Sequence, residues 1–567
     1  MKEMSDQVRG IIFVVLVMGV IFAWSHFYSP PVPAPQKQSA SSPQPTSPAP
    51  ASATAATKET TSVAAAATPE RVAAVQAATE RSVIVDSPFY LVELSNRGAV
   101  VKSWKLKKYN DDQKPPHPLE LVDPDSSAQL GWPFSLLLSD PQLESRINSA
   151  LFEPAPSSDS VSPPCELAFH WSDGHLDVTK KMKFAPDYQM SMEVAVSLDG
   201  RPLPVAVAWR GGFGDKAVYK ASQNVTVFYK QNGKLNLLQY KKLGVAGNPS
   251  QPSAVAGPMD FLGIEDQFFT AALLPAGPDL TLWHWTQDHK ITVDNKPETE
   301  PEAEMAAGTA NAAPLQVRAY VGPKDLAILS RQKPSLEELV NFGWTGVVAK
   351  PLLFILQWLH RYLPNWGWAI VVLTLIINFA LFPLKYKSQR SMQRMAKVAP
   401  EIRSIQDRYK KYSMSDPRKR KMNEEVMAIY QREGINPVGG CLPMLPQLPI
   451  WWALWRVLNG AIELRHAPWM GWIHDLSAKD PYYILPILMA ILMYLSTKMT
   501  PQTSVDPSQQ RMMSLMPLMM AAFFFNLSSG LNLYMFTSNL IGVGQQYYLN
   551  RTQPLPAPKS KFKKKNE

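Results

Sequence analysis

At 567 residues the chain is long enough for a soluble domain plus a membrane domain. Its 18% charged residues fall below the roughly 25% of ordinary soluble proteins, and its 51 prolines and 16 tryptophans exceed what one globular core carries, which excludes a single soluble domain. The net charge of +10 is concentrated in two segments: Lys385 to Glu433 holds fourteen basic against six acidic residues, and Arg551 onward holds six against one. Basic segments beside apolar runs mark the cytoplasmic side of a membrane and are suited to anionic phospholipids or ribosomal RNA.

In chain order, residues 1–10 read as a cytoplasmic N-terminus. Residues 11–27 form an apolar run after Lys2 and Arg9 without an A-x-A cleavage signal, which predicts an uncleaved transmembrane anchor. Residues 28–82, rich in Pro, Ser, Ala and Thr, lack apolar periodicity and read as a disordered periplasmic linker. Residues 83–330 alternate apolar and polar positions. The pattern is clearest from Tyr188 through Met190, Met192, Val194 and Val196 to Leu198, the period of half-buried strands. Leu167, Phe169 and Trp171 alternate likewise before an Asp173-Gly174 turn into Leu176 and Val178, and Leu315 to Val321 reads as a last strand. The expectation is an all-β periplasmic sandwich.

Ser335 and Glu338 form a capping box that predicts one helix over 335–363, with Lys350, Gln357 and Arg361 on a single face, as suits a helix lying in the membrane interface. Residues 366–384 are a second crossing, running outside to inside. Residues 385–436 have helical spacing, with Met392, Met395, Ala399, Ile402 and Ile405 on one arm and Met422, Val426, Ile429 and Tyr430 on the other. Asp416 with Pro417 opens the second arm and Gly434 closes it, so an antiparallel cytoplasmic hairpin is predicted. Further crossings follow at 441–459, 482–498, 511–526 and 530–549, separated by a periplasmic loop at 460–481 and a cytoplasmic one at 499–510. The basic tail, 550–567, is cytoplasmic. This makes an α-helical polytopic protein of six transmembrane helices, several shorter than the ~20 residues that a full bilayer requires.

Neither Cys165 nor Cys441 has zinc-ligand spacing, and no disulfide joins them in this topology. No GxxxxGK[ST] loop and no HExxH helix is present, so no enzyme, cofactor or metal is expected. Glu463, Arg465, His474 and Asp475 lie in the 460–481 loop without a nucleophile and do not make a catalytic set. A secondary transporter would show duplicated halves, and these spans show none. Pro443, Pro446 and Pro449 recur every three residues, and with Pro486 and Pro517 they predict helix kinks. Met512, Met513, Met516, Met519 and Met520 offer a soft surface for varied apolar segments.

The strings NPVGGCLPMLPQLPIWWAL from Asn436, ELRHAPWMGWIHDLSAKDPYYILPILM from Glu463 and SSGLNLYMFTSNLIGVGQQ from Ser528 closely resemble the YidC membrane-protein insertase family. YLVELSNRGAVVKSWKL from Tyr90 and DQFFTAALLP from Asp266 resemble the periplasmic domain of its Gram-negative members, a β-supersandwich followed by an interfacial helix. The resemblance implies five spans around a hydrophilic groove open to cytoplasm and lipid. It implies as partners nascent membrane proteins, the Sec translocon and the ribosome, met by Arg418, Lys419, Arg420, Lys421, Lys563, Lys564 and Lys565. Matching groove positions are Thr374, Asn378, Gln447, Tyr534 and Met535. Many members carry arginine where this chain has Asn378, and a second tyrosine where it has Met535. The groove charge is therefore absent from position 378, leaving amide hydrogen bonding in its place.

Overall fold

The computed structural model describes residues 73–216, 224–240, 243, 253–275, 279–293, 296–309, 311–412, 416–435, 444–499 and 523–552. The anchor at 11–27, almost all of the linker, the methionine-rich run from Met512, Cys441, Pro443, Pro517 and Lys563 to Lys565 lie outside these residues. The described chain falls into two compact units, one of 73–367 with 449–478 and one of 368–448 with 479–552.

In the first unit, strands between Ser82 and Pro323 form a ten-stranded sheet and two five-stranded sheets. Alternation sets their faces. Strand Gln189–Leu198 turns Met190, Met192, Val194 and Val196 inward, and pairs antiparallel with Leu176–Phe184 on one side and Leu315–Pro323 on the other. The Asp173-Gly174 turn forms as its sequence dictates: Gly174 takes φ +94, and the Asp173 carboxylate accepts the backbone N–H groups of His175 and Leu176. The all-β expectation omits three helices, α1 (Pro124–Leu130), α2 (Pro141–Ser149) and α3 (Leu326–Leu329). An aspartate caps each, and the first two begin with proline at the first helical position, an Asp-Pro signal legible in the sequence.

The predicted helix over 335–363 is interrupted. Ser335 Oγ accepts the N–H of Glu337, but only a 3-10 turn, Glu337–Leu339, comes after it. The chain then bends at Gly343, whose φ is +56, and α4 runs over Gly346–Tyr362. Helix α4 buries Ala349, Leu352, Leu353, Leu356 and Leu359, and exposes Val347, Phe354, Trp358 and Tyr362.

The second unit is helical. Helix α5 (Trp366–Arg408) does not stop at the predicted span boundary but continues for 43 residues, through Pro383 and Pro400, into the first arm of the hairpin. Helix α6 (Arg418–Arg432) is the second arm. The two arms bury Val398, Ile402 and Ile405 with Ile429 and Ile435, and Met395, Met422, Val426 and Tyr430 pack around them. Asp416 accepts the backbone N–H of Arg418, and Gly434, at φ +61, ends α6 so that Ile435 N–H reaches the Tyr430 carbonyl. Two helical arms thus lie in the region expected to form a hairpin, and of the residues that marked it Met395, Ile402, Ile405, Met422, Val426, Ile429 and Tyr430 pack together while Met392 and Ala399 are not in the cluster.

Helix α7 (Met444–Gly460) begins in this unit and crosses into the other at Pro449. Helices α8 (Ile484–Met499) and α9 (Ser529–Thr552) run parallel. A bridge between Lys479 and Ser528 joins their starts, and the Met499 carbonyl accepts Asn550 Nδ2 at 2.9 Å near their ends. Of the expected kinks, Pro449 lies inside α7. Pro446 and Pro486 instead fall in the first turns of α7 and α8, where a missing N–H breaks no helical bond. Among the described residues, α5 alone is long and apolar enough to cross a membrane, and α8 is apolar but shorter, so six crossings are not matched there.

Candidate functional site

Thr374 and Asn378 stand one turn apart on α5 and are 0% and 2% exposed, inside the apolar first part of that helix. Polar groups there must be satisfied locally. Thr374 Oγ1 donates to the Ile370 carbonyl at 2.7 Å, and Asn378 Nδ2 donates to the Thr374 carbonyl at 2.9 Å. The same Nδ2 reaches Ser538 Oγ on α9 at 3.3 Å. With its donors so placed, Asn378 Oδ1 accepts the Lys385 ammonium at 2.7 Å.

Two residues that sequence reasoning leaves out therefore belong to this cluster. Lys385 reads in sequence as the first basic residue of the hairpin, a topology signal. It stands seven residues after Asn378, two turns along the same face, and its side chain leans back toward the helix N-terminus. Ser538 stands four after Tyr534 and so shares its face. Gln389, a turn beyond Lys385, is buried, and its Nε2 has no hydrogen-bond partner among the described residues. On α9, Gln545 Oε1 is likewise enclosed and unpaired among them. Thr374, Asn378, Lys385 and Gln389 on α5 repeat the 4, 7 spacing of Tyr534, Ser538 and Gln545 on α9, so each helix carries a polar stripe.

Tyr534 is 3% exposed and its hydroxyl makes no hydrogen bond among the described residues. Met535, its neighbour, is half-buried. Gln447 is half-buried near the start of α7, and no hydrogen bond among the described residues ties it to Asn378 or Tyr534. The structure thus brings Thr374, Asn378 and the Ser538 turn of α9 together and leaves Gln447 apart from that network.

The hairpin cations are not equivalent. The Arg418 guanidinium is held by both Asp416 carboxylate oxygens, at 3.0 and 2.9 Å, and lies over the Tyr412 ring. Lys419, Arg420 and Lys421 have no ion-pair partner among the described residues.

In the β unit, Asp123, His289 and Glu302 bring possible metal-ligand atoms within 4.8 Å of one another. The Lys216 ammonium already sits 3.1 Å from Asp123 and 2.7 Å from Glu302, so the cluster holds its own cation and does not fit a metal. Of the connector residues that resemble a catalytic set, Arg465 and Glu463 make structural contacts within this unit. Arg465 makes a buried pair with Asp215, at 2.6 Å from Nη2 and 2.9 Å from Nε, and lies over Phe269. Glu463 accepts Gln357 Nε2 at 2.7 Å, while burial raises its carboxyl above the usual range.

Residues 82–355 match the family described as the YidC periplasmic domain, and residues 358–556 the family described as the 60Kd inner membrane protein. The membrane protein insertase YidC of Syntrophus aciditrophicus is 33% identical over 504 residues, covering 86% of this chain and 89% of its own length. That of Geobacter sulfurreducens is 34% identical over 475 residues, covering 82% and 86%. That of Campylobacter jejuni is 47% identical over 232 residues, covering 41% and 43%.

Proposed function

Because the chain belongs to the YidC family of membrane protein insertases, we propose that it inserts integral proteins into the inner membrane and helps them fold, alone or beside the Sec translocon. Thr374, Asn378, Tyr534 and Met535, with Gln447 at the edge, line the hydrophilic groove that takes in the polar part of a nascent chain. The observation that carries this reading is the buried polar network around Asn378, joined to Ser538 and Lys385 within apolar helices. An unpaired polar group costs several kcal/mol in hydrocarbon, so polar partners inside the layer and a thinner layer both lower the barrier to crossing. The fourth span expected from the sequence, 482–498, has 17 residues, about 26 Å of rise against a core of about 30 Å, which favours local thinning. No covalent step is involved, and the protein is not an enzyme.

In the finer reading six helices cross the bilayer with both termini in the cytoplasm. The parallel course of α8 and α9 supports reading a further span, expected at 511–526, between them. The hairpin and tail then face the ribosome and anionic phospholipids, with Lys419, Arg420 and Lys421, which have no ion-pair partner among the described residues, as contacts. The exposed apolar stripe of α4 lies in the outer interface. Photocrosslinkers at positions 374, 378, 447 and 534 test the groove. Adducts to a stalled nascent membrane protein are expected at each; adducts at none would overturn it, as would normal insertion of small membrane proteins after full depletion.

A further inference from the structure

In the β unit, the five-stranded sheet that contains Asp279–Val293 carries an open cavity of about 610 Å³, within the roughly 300–1,000 Å³ of small-ligand sites. Its floor is formed by that strand and by Ala206–Trp209, and its walls by the end of α1 at Leu130 and the start of α2 at Pro141 and Glu144. Alternation along Asp279–Val293 puts Trp283, Trp285 and Gln287 on one face, and all three line the cavity.

The charges of the cavity cancel. Among its lining residues only Arg210 and Glu144 are charged, and they pair with each other at 2.7 Å. The second Glu144 oxygen accepts the Leu138 N–H at 3.1 Å, so both carboxylate oxygens are occupied. A guanidinium has five donors, and Glu144 takes one; the same group lies 5.9 Å from the centre of the Trp285 ring.

This lining discriminates between classes of ligand. A charged ligand meets no net counter-charge there. An acyl chain would dry out Arg210, Ser139 and Gln287 without pairing them, which costs free energy for each group. An extended peptide binds by adding to an open sheet edge, and both floor strands are already paired on each side. A pyranose ring suits the lining, because it is neutral, turns C–H groups to one side and carries hydroxyls around its rim.

We propose that this cavity binds a neutral oligosaccharide, with pyranose C–H groups against the Trp283 and Trp285 indoles and ring hydroxyls bonded to Arg210, Gln287 and Ser139. All of these residues lie in the β unit.

The test uses the full chain in phosphatidylcholine nanodiscs, because maltoside detergents carry a sugar headgroup. Maltotriose and the N-acetylglucosamine trimer are titrated against it, with triglycine and hexanediol as controls, and binding is read by tryptophan fluorescence and saturation-transfer NMR. At least one trisaccharide is expected to bind, with its ring C–H protons saturated most strongly. Trp283→Ala is expected to weaken that binding about tenfold, the weight of one aromatic contact, and Gln287→Ala about fivefold, that of one hydrogen bond. Trp283→Phe keeps a ring and is expected to retain most of the affinity, which separates a lost contact from a lost fold. Binding of neither trisaccharide overturns the proposal. So does equally tight binding of triglycine or hexanediol, or trisaccharide binding that Trp283→Ala and Gln287→Ala leave unchanged.

Discussion

Asn378 makes three contacts with one amide: two donated by Nδ2 and one accepted by Oδ1. Asn378→Ala removes all three and leaves Ser538 and the Lys385 ammonium short of a partner. A loss of about 1–3 kcal/mol in stability is expected together with reduced insertion, read by thermal unfolding and by a client insertion assay. At Lys180 in the β unit the ammonium is fully buried and donates to the carbonyls of Gly98, Ala99 and Phe134, while burial pushes its pKa down from 10.5 to about 7. Burial moves two carboxyls the other way, Asp266 from 3.8 to about 6 and Glu304 from 4.5 to about 7. Between about pH 4 and 7 the folded carboxyls hold protons that the unfolded chain has lost, so their contribution to stability falls as pH rises. Between about pH 7 and 10 the unfolded lysine holds a proton that the folded one lacks, so stability climbs again. Lys180→Met is expected to abolish the alkaline climb and leave the acid limb. Tryptophan-fluorescence melts of the whole chain at pH 5, 7 and 9 read this as a Tm change of roughly 2 °C or more per limb.

At the scale of elements, the hairpin stands on a small cluster. Ile402→Asp places a carboxylate among Val398, Ile405, Ile429 and Ile435. It is expected to cost about 3 kcal/mol locally and to open 385–435 to limited proteolysis while the β-unit melt stays unchanged. This hairpin and the strand faces are legible in sequence because each depends on a local period: Met395, Ile402, Met422 and Ile429 at helical spacing, Met190 to Val196 at spacing two. Pattern alone overextends the helix over 335–363, because Ser335 and Glu338 signal only a first turn and Gly343 then redirects the backbone at a positive φ that leaves no mark on the apolar spacing. It cuts the second span short for the opposite reason. Composition changes sharply at Lys385, but Ala396, Met395 and Gln393 are good helix formers, and nothing stops α5 before Arg408. Lys385 itself reads as a mere topology charge because reach, not periodicity, takes it back to Asn378.

At the scale of the whole molecule, Arg465 and Asp215 are 250 residues apart in sequence and meet at 2.6 Å with side chains 4% and 3% exposed. No local signal links them, and the sequence shows only a charged loop. Arg465→Ala or Asp215→Ala alone removes this buried pair and is expected to cost about 3–5 kcal/mol, loosening the 461–478 segment from the β strands. The double variant Arg465→Met with Asp215→Leu should be less damaging than either single change. Chemical denaturation of all three, read by proteolysis within 461–478, checks the order; a double variant worse than both singles would refute it.

Helix α5 is one rod of 43 residues, about 65 Å long, that carries Asn378 near one end and the hairpin's Arg408 at the other. No slack chain separates the two. A push on the hairpin would therefore pass along this helix toward the polar cluster with no loop between them to absorb it.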